Sequence, residues 1–511
     1  MPTVEDGAGE PDRRRLVARG LTWSAFYQVF DVGVSVAAML VLVRLLGPAE
    51  YGRASAVVGI LTLLNTFNAA IFVSHALQLP DDVTPDWQLH WTAAFYIQLV
   101  LSGLCHAIAV GCWFVQDYRP IAPLLHLAAI GFIFDWPNQF GAMMLMRELN
   151  LRRVRTVMAA GTLLRLGCTI AVAAGGGGAF ALVLGNNVVS SLPFGTDLLL
   201  VRGWRPRPGW WRMPTWSAYR EPARFGVQRV GAALVWGVSS ALESVVLPSS
   251  LGFAAVGLLT RARALYNTTL GRIANIVLET AYPFLPREAA RADRYARQAG
   301  RFLKLVLLLA VPGALFLGIE GRQVSRVLYG QRWVTMDALI LPGALAGLSV
   351  TVLTVASLVL MAAGRMRECL RLETVATVMA VAALGAAWLS GNALVYCWVL
   401  AIGGSIAATV AFARTALLLE QGWVSTVLMP PVVVTTIAMI GGAAVGQALG
   451  PVRSLVHFGV VASVYSVSGI AALRLLYPET WTDLLQWVPG RWAIRFGRQP
   501  VVTAAEPGVS P

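Results

Sequence analysis

The chain has 511 residues, of which 57% are hydrophobic and only 13% charged, and its mean hydropathy is +0.66. A water-soluble fold could not bury that much apolar surface, so the composition excludes a soluble enzyme or adaptor. The net charge of +14 is spread as short arginine clusters between apolar segments, with no basic face gathered for DNA or RNA, and no nucleic-acid partner is expected.

Segments near the ~20 residues that a helix needs to cross a bilayer recur along the chain. After an N-terminal tail (1–20), candidate spans lie at 21–46, 53–78, 90–115, 123–146, 157–176 and 179–201. An Arg-, Pro- and Trp-rich stretch, 202–225, follows as an interfacial linker. Six more spans follow at 226–248, 253–281, 302–320, 338–363, 372–390 and 393–418, then two at 427–448 and 454–477, before a tail at 478–511. The expectation is an all-α polytopic membrane protein of about 14 helices: an N-lobe (21–201), a C-lobe (226–418), and two additional C-terminal helices (427–477). The first stretch is longer than a signal-peptide core and lacks a small-residue cleavage site, so it reads as a retained helix.

Arginine sets the orientation. Clusters at Arg147–Arg155, Arg202–Arg224, Arg287–Arg301 and Arg365–Arg371, with those of the tails, outnumber the opposite-side arginines by roughly three to four to one. Both termini are therefore expected in the cytoplasm, in a plasma (inner) membrane. The acidic Pro80–Asp86 loop falls on the same side, but acidic residues contribute little to orientation.

Leu46-Gly-Pro-Ala-Glu-Tyr-Gly52 after the first span is echoed by Leu251-Gly-Phe-Ala-Ala-Val-Gly257 after the seventh. Two six-helix units that begin on the same side imply a parallel repeat, with a central site between halves.

Polar side chains within spans mark faces that avoid lipid. Ser24, Gln28, Asp31 and Ser35 form a stripe on the first span, and Asn65, Asn68 and His75 one on the second. Arg229, Trp236, Ser240 and Glu243 do so on the seventh, and Arg261, Thr268, Arg272, Asn275 and Glu279 on the eighth. A wet cavity offering Arg261, Arg272, Arg229, Arg165, Asn65, Asn68 and Asn275 to an anionic or sugar-bearing substrate explains these stripes together. Interhelical hydrogen bonding is the alternative for each Ser or Asn, and snorkelling to headgroups the alternative for Arg229. Asp31, Asp135 and Glu243 pair with the arginines or take a coupling proton or cation.

His75 and His106 are isolated, and the five cysteines show no metal spacing, so no metal is expected. No phosphate-cradling glycine loop, nucleophile with a placed base, or large outer domain stands out, and neither a cofactor nor enzyme chemistry is expected.

Val43-Arg-Leu-Leu-Gly-Pro-Ala-Glu-Tyr-Gly-Arg53, Met146-Arg-Glu-Leu-Asn-Leu-Arg-Arg153, Val256-Gly-Leu-Leu-Thr-Arg-Ala262, Tyr282-Pro-Phe-Leu-Pro286 and Val327-Leu-Tyr-Gly-Gln-Arg-Trp333 resemble the polysaccharide flippases of the multidrug, oligosaccharidyl-lipid and polysaccharide exporter superfamily. The resemblance implies two six-helix lobes plus two helices, and alternating access that carries a polyprenyl-diphosphate-linked glycan outward, with arginines on the diphosphate. A proton or Na+ would couple through Asp31 or Glu243, and a polymerase or other assembly proteins would be partners. A drug or organic-cation exporter of the same superfamily is the nearest alternative, and a membrane polysaccharide polymerase or ligase a more distant one.

Overall fold

The computed structural model describes residues 27, 30–77, 79–80, 83–148, 150–213, 215–267, 285, 291–449 and 455–485. Both chain tails, Arg272 and Asn275, and the side chains of Arg229 and Trp236 lie outside the described residues.

Among the described residues every regular element is helical, and ten helices are long and apolar enough to cross a membrane. Helices satisfy every backbone donor and acceptor internally, which the hydrocarbon core demands. The order is α1 (30–45), α2 (Pro48–Asn65), α3 (Ala69–Val73), α4 (Trp87–Phe114), α5 (Ala122–Arg147), α6 (Leu151–Ala174), α7 (Ala179–Val183), α8 (Pro193–Thr196) and α9 (Trp216–Tyr266). Then follow α10 (Ala292–Tyr329), α11 (Asp337–Ala362), α12 (Met366–Ser390), α13 (Ala393–Ala416), α14 (Met429–Leu449), α15 (Leu455–Leu476) and the short α16 (Pro478–Leu485).

Local sequence explains several helix starts. Pro48 opens α2 with a preset φ and no amide to satisfy, while Glu50 Oε2 accepts the Gly47 N–H at 2.5 Å. Asp86 caps α4 by accepting from the Gln88 and Leu89 amides, each at 3.1 Å. Asn150 caps α6 through the Arg153 N–H.

Two predicted spans are interrupted. The second breaks after Asn65 and restarts at Ala69, because the Asn68 side chain accepts the Ala70 N–H and turns the chain. The sixth runs from α7 through a π-turn (Leu184–Val188), a 3-10 turn (Val189–Ser191), α8 and a second π-turn (Asp197–Val201). The run Asn186-Asn187 supplies poor helix formers, and Pro193 lacks an amide, so the regular ladder fails there.

In α9 two predicted spans form a hairpin. Gly252 takes φ 78° and ψ 160°, a backbone conformation that side-chain-bearing residues avoid. The Glu243 and Arg263 side chains, 20 positions apart, are in contact. A straight helix would hold them about 30 Å apart, so the chain reverses at Gly252.

The chain divides into two compact units: Met1–Ala264 with Leu328–Leu339 and Ala380–Val399, and Leu265–Val327 with Ile340–Met379 and Leu400–Pro511. In the first unit, the repeat glycines Gly52 and Gly257 face one another. A Cβ on Gly52 would lie 1.7 Å from the Phe253 carbonyl oxygen, and one on Gly257 would lie 1.8 Å from that of Pro48. The contact is reciprocal, as a local two-fold requires, and brings two backbones closer than any other residue type permits.

The predicted linker is bound down rather than free. Trp204 and Trp210 pack among Trp91, Phe95, Trp136 and Phe140, with the Trp91 and Trp204 rings 4.7 Å apart. Gln88 Oε1 accepts the Arg207 N–H at 2.8 Å, and the Thr92 and Tyr96 hydroxyls donate to the Trp210 and Trp211 carbonyls. Helix resumes at Trp216, ten residues before the predicted start at 226. Arg147 spreads its guanidinium over the carbonyls of Ala76, Leu79, Pro80 and Val83, between 2.6 and 2.8 Å, and thereby holds the α3–α4 loop.

The second unit has an aliphatic core that includes Leu303, Val306, Val355, Val359 and Val427. Lys304, the only lysine in the chain, is buried there and bonds Thr480 at 3.0 Å and Asp483 at 3.5 Å. Tyr266 bonds Thr351 at 2.8 Å in the same unit.

Candidate functional site

Two cavities that carry polar side chains lie within the first unit. One, of about 330 Å³, is bounded by α2 and both arms of α9, with Tyr51, Thr62, Ser240, Glu243, Arg261 and Arg263 among its lining residues. The other, of about 350 Å³, is bounded by α2, α5 and the broken 184–191 segment, with Asn65, Asn68, Asp135, Gln139, Asn187 and Ser190 on its wall. Asn186 lines both, and its Oδ1 accepts from Arg165 Nη1 at 2.9 Å.

In the first cavity Arg263 pairs with Glu243. Arg263 Nη2 donates to the Tyr396 hydroxyl at 2.6 Å, and that hydroxyl donates to Glu243 Oε1 at 3.0 Å. The triad closes on itself, and this half-buried pair, tied together through a shared hydroxyl, is a holding element. Arg261, two residues earlier, is engaged differently. Its guanidinium lies 4.3 Å from the Tyr51 ring centroid, within cation–π range, and its buried Nε has no hydrogen-bond partner among the described residues. Tyr51 is anchored in turn by an edge contact with Trp333, whose Nε1 donates to the Val43 carbonyl at 3.1 Å. A stacked guanidinium keeps its fork of donors for an anion, and such charge-assisted bonds to phosphate are among the strongest available.

In the second cavity Asp135 is held by carboxamides. Its Oδ2 accepts from Asn68 Nδ2 at 2.9 Å and from Gln98 Nε2 and Gln139 Nε2 at 3.1 Å; its Oδ1 accepts from Gln139 Nε2 at 3.0 Å and Asn138 Nδ2 at 3.2 Å. Asn68 Nδ2 also donates to Asn65 Oδ1 at 3.1 Å. Asp135, read from sequence as a partner for an arginine or a site for a coupling proton or cation, has no ion pair among the described residues; carboxamides surround it instead.

Asp31 lies apart from both cavities, buried on α1, where it accepts from Thr162 Oγ1 at 3.1 Å and the Tyr27 hydroxyl at 3.5 Å. The structure thus gathers Arg261 and Glu243 at one cavity and Asn65, Asn68 and Asp135 at the other, with Arg165 reaching their shared wall. Arg263, Tyr396, Gln98 and Gln139 escaped the sequence reading. Arg263 stands two residues from Arg261, so a stripe search at steps of three and four passes over it. Tyr396 and Gln98 come from distant spans and carried no signal. His106, isolated in sequence, meets His126, with the Nδ1 atoms 2.8 Å apart.

Helices that bury carboxylates, guanidinium groups and amides around cavities inside membrane-spanning segments define an integral membrane protein built to handle polar groups within the bilayer. The chain belongs to the family of polysaccharide biosynthesis proteins, whose family model matches residues 41–338, more than half of the sequence. Among solved structures it is similar to the lipid II flippase MurJ in an inward closed conformation, with a TM-score of 0.69 and 10% identity over 89% of this chain and 99% of that one. It is also similar to the inward-facing conformation of a multidrug resistance MATE family transporter of the MOP superfamily, with a TM-score of 0.57 and 14% identity over 76% of this chain and 95% of that one. At these identities the likeness is one of fold. No curated protein matches the sequence.

Proposed function

We propose that the protein is a flippase that carries polyprenyl-diphosphate-linked oligosaccharide outward across the plasma (inner) membrane, for the assembly of a cell-surface polysaccharide. Membership of the polysaccharide biosynthesis family and the likeness in fold to a lipid II flippase support this reading. The observation that carries the reading is Arg261, a cation stacked on Tyr51 that lines a cavity and whose buried Nε has no hydrogen-bond partner among the described residues. An anionic diphosphate leaving water needs a fixed counter-charge, and guanidinium offers one that stays ionised. Arg272, Arg229, Arg165, Asn65, Asn68 and Asn275 are proposed to extend this surface toward the glycan.

The work is movement by alternating access between lobes 21–201 and 226–418, and no bond is made or broken. A membrane polymerase or other assembly proteins act on the delivered product. Outward transfer of a fluorescent polyprenyl-diphosphate oligosaccharide by the intact protein in proteoliposomes is the expected result. Failure to move it, together with export of a cationic dye, would replace this reading with the organic-cation exporter.

Both termini are proposed to be cytoplasmic, which places the α4–α5 turn outside. A periplasm-active reporter fused after Tyr118 should be active, and the same reporter fused after Arg207 should be silent. The reverse pattern would invert the topology.

A further inference from the structure

From Leu198 to Arg220 the chain carries five arginines, Arg202, Arg205, Arg207, Arg212 and Arg220, and no acidic residue. Within the same stretch Trp211, Met213 and Trp216 are 57%, 74% and 71% exposed. We propose that this linker is a binding platform for anionic phospholipid, with Arg207 and Arg212 on the headgroup phosphate and Trp211 and Met213 against the upper part of the acyl chains.

The linker lies at headgroup depth. α4 has 28 residues and is about 42 Å long, roughly 12 Å more than the ~30 Å hydrocarbon core. The linker is bound along the first turns of that helix, where Gln88 accepts the Arg207 N–H and the Thr92 and Tyr96 hydroxyls donate to the Trp210 and Trp211 carbonyls. Trp87, Gln88 and Tyr96 on those turns are aromatic and polar residues of the kind that settle at a membrane–water boundary. This holds for either leaflet and for any cargo.

Two of the five guanidinium groups are already engaged. Arg202 pairs with Glu148 at 2.5 Å, and Arg205 Nη1 turns back to the Leu199 and Trp204 carbonyls. The exposed side chains of Arg207 and Arg212 have neither an ion pair nor a hydrogen bond among the described residues. They flank a tight turn with Pro208 and Gly209 (φ 82°) at its corner. The Trp210 N–H closes it on the Arg207 carbonyl at 3.2 Å, and the Arg212 N–H bonds the Gly209 carbonyl at 3.0 Å. Both guanidinium groups are thus offered from a fixed frame, and each can make forked, charge-assisted bonds to phosphate oxygens while staying ionised.

The neighbouring tryptophans divide the remaining work. Trp210 packs inward, with its ring centroid 5.2 Å from that of Phe95 and 5.1 Å from that of Trp136. Trp211 stands at 81° to Trp210 and is exposed. An anionic lipid brings phosphate and apolar chain to one level, which matches arginine beside exposed tryptophan and methionine. An acidic protein would supply the charge but no chain for Trp211 and Met213.

The full chain is placed in phosphatidylcholine vesicles that contain a fixed minor fraction of brominated phosphatidylglycerol or brominated phosphatidylcholine, and tryptophan quenching is compared. The brominated phosphatidylglycerol should quench more strongly, and high salt should narrow the difference. Trp211→Phe should remove most of it. Arg207→Gln combined with Arg212→Gln keeps Trp211 and breaks no contact among the described residues. It should lower the relative affinity for phosphatidylglycerol at least tenfold, since one arginine near an anionic surface contributes roughly fivefold. An unchanged melting temperature of the double variant shows that it is folded. Equal quenching of the unmodified protein by the two brominated lipids would overturn the proposal. So would a preference for phosphatidylglycerol that survives the double arginine variant, or one that survives Trp211→Phe, since either would put the lipid on another surface.

Discussion

Translocation per folded molecule is expected to fall at least tenfold when Arg261 is replaced by alanine. The guanidinium stacks on Tyr51 at the cavity, and its buried Nε has no partner among the described residues. Its loss removes the cavity's stacked cation without breaking an ion pair among the described residues. A hydrogen bond to a charged group contributes about 1.5–3 kcal/mol, and about 1.4 kcal/mol corresponds to a factor of ten. Arg261→Lys should recover part of the rate, since it keeps the charge and loses the planar fork. Arg263 is the internal contrast. It is tied to Glu243 and Tyr396, so Arg263→Ala leaves Glu243 without its cation and should lower the yield of folded protein rather than the rate of what folds. Initial rates in proteoliposomes, normalised to protein that elutes as a single folded species, separate the two. Unchanged transport by Arg261→Ala would assign that residue to packing against Tyr51.

Substituting Gly52 with valine is expected to prevent stable folding. A Cβ at this position meets the Phe253 carbonyl oxygen at 1.7 Å and the Gly257 nitrogen at 3.0 Å, and neither is a side chain that could swing away. The two helices must separate, which loosens the crossing that seats Tyr51 and Arg261 at the cavity. Overpacking of side chains costs about 1–3 kcal/mol; a backbone collision belongs at or above the upper end. A drop in melting temperature and in monodisperse yield measures it. Gly257→Val, which collides with the Pro48 carbonyl oxygen at 1.8 Å, should match it. By contrast, Gly103→Ala on α4, where a Cβ meets nothing within 4 Å, should leave the yield intact. Normal folding of Gly52→Val would show that the crossing tolerates a wider spacing.

Class and architecture were legible in the sequence because bilayer insertion is a local property. A span needs only apolar length, and its orientation needs only arginine at its ends, so composition and periodicity determined an all-α polytopic protein. The LGxxxxG echo was legible as a repeat, since glycine at matched turns survives as a pattern. Its meaning, two glycines opposed at one crossing, was not. The expected stripes put Asn65 and Asn68 on one helix face, because neighbours at three and four residues share a face, but they offered Arg261, Asn65 and Asn68 to a single cavity, whereas Arg261 lines one cavity and Asn65 and Asn68 another.

Tertiary structure alone decided the partners. Glu243 meets Arg263 because the chain reverses at Gly252, and Tyr396 joins them from a span more than a hundred residues away. Asp135, expected to pair with an arginine or to take a coupling proton or cation, accepts from carboxamides on the turn before α3, on α4 and on its own helix. The break at 184–191 that completes its cavity was hidden inside an apolar run that reads as a single span. Hydropathy reports how a segment partitions between water and lipid. It carries no record of which helix faces which, because that choice is made by close packing among spans that are nearly equal in apolarity.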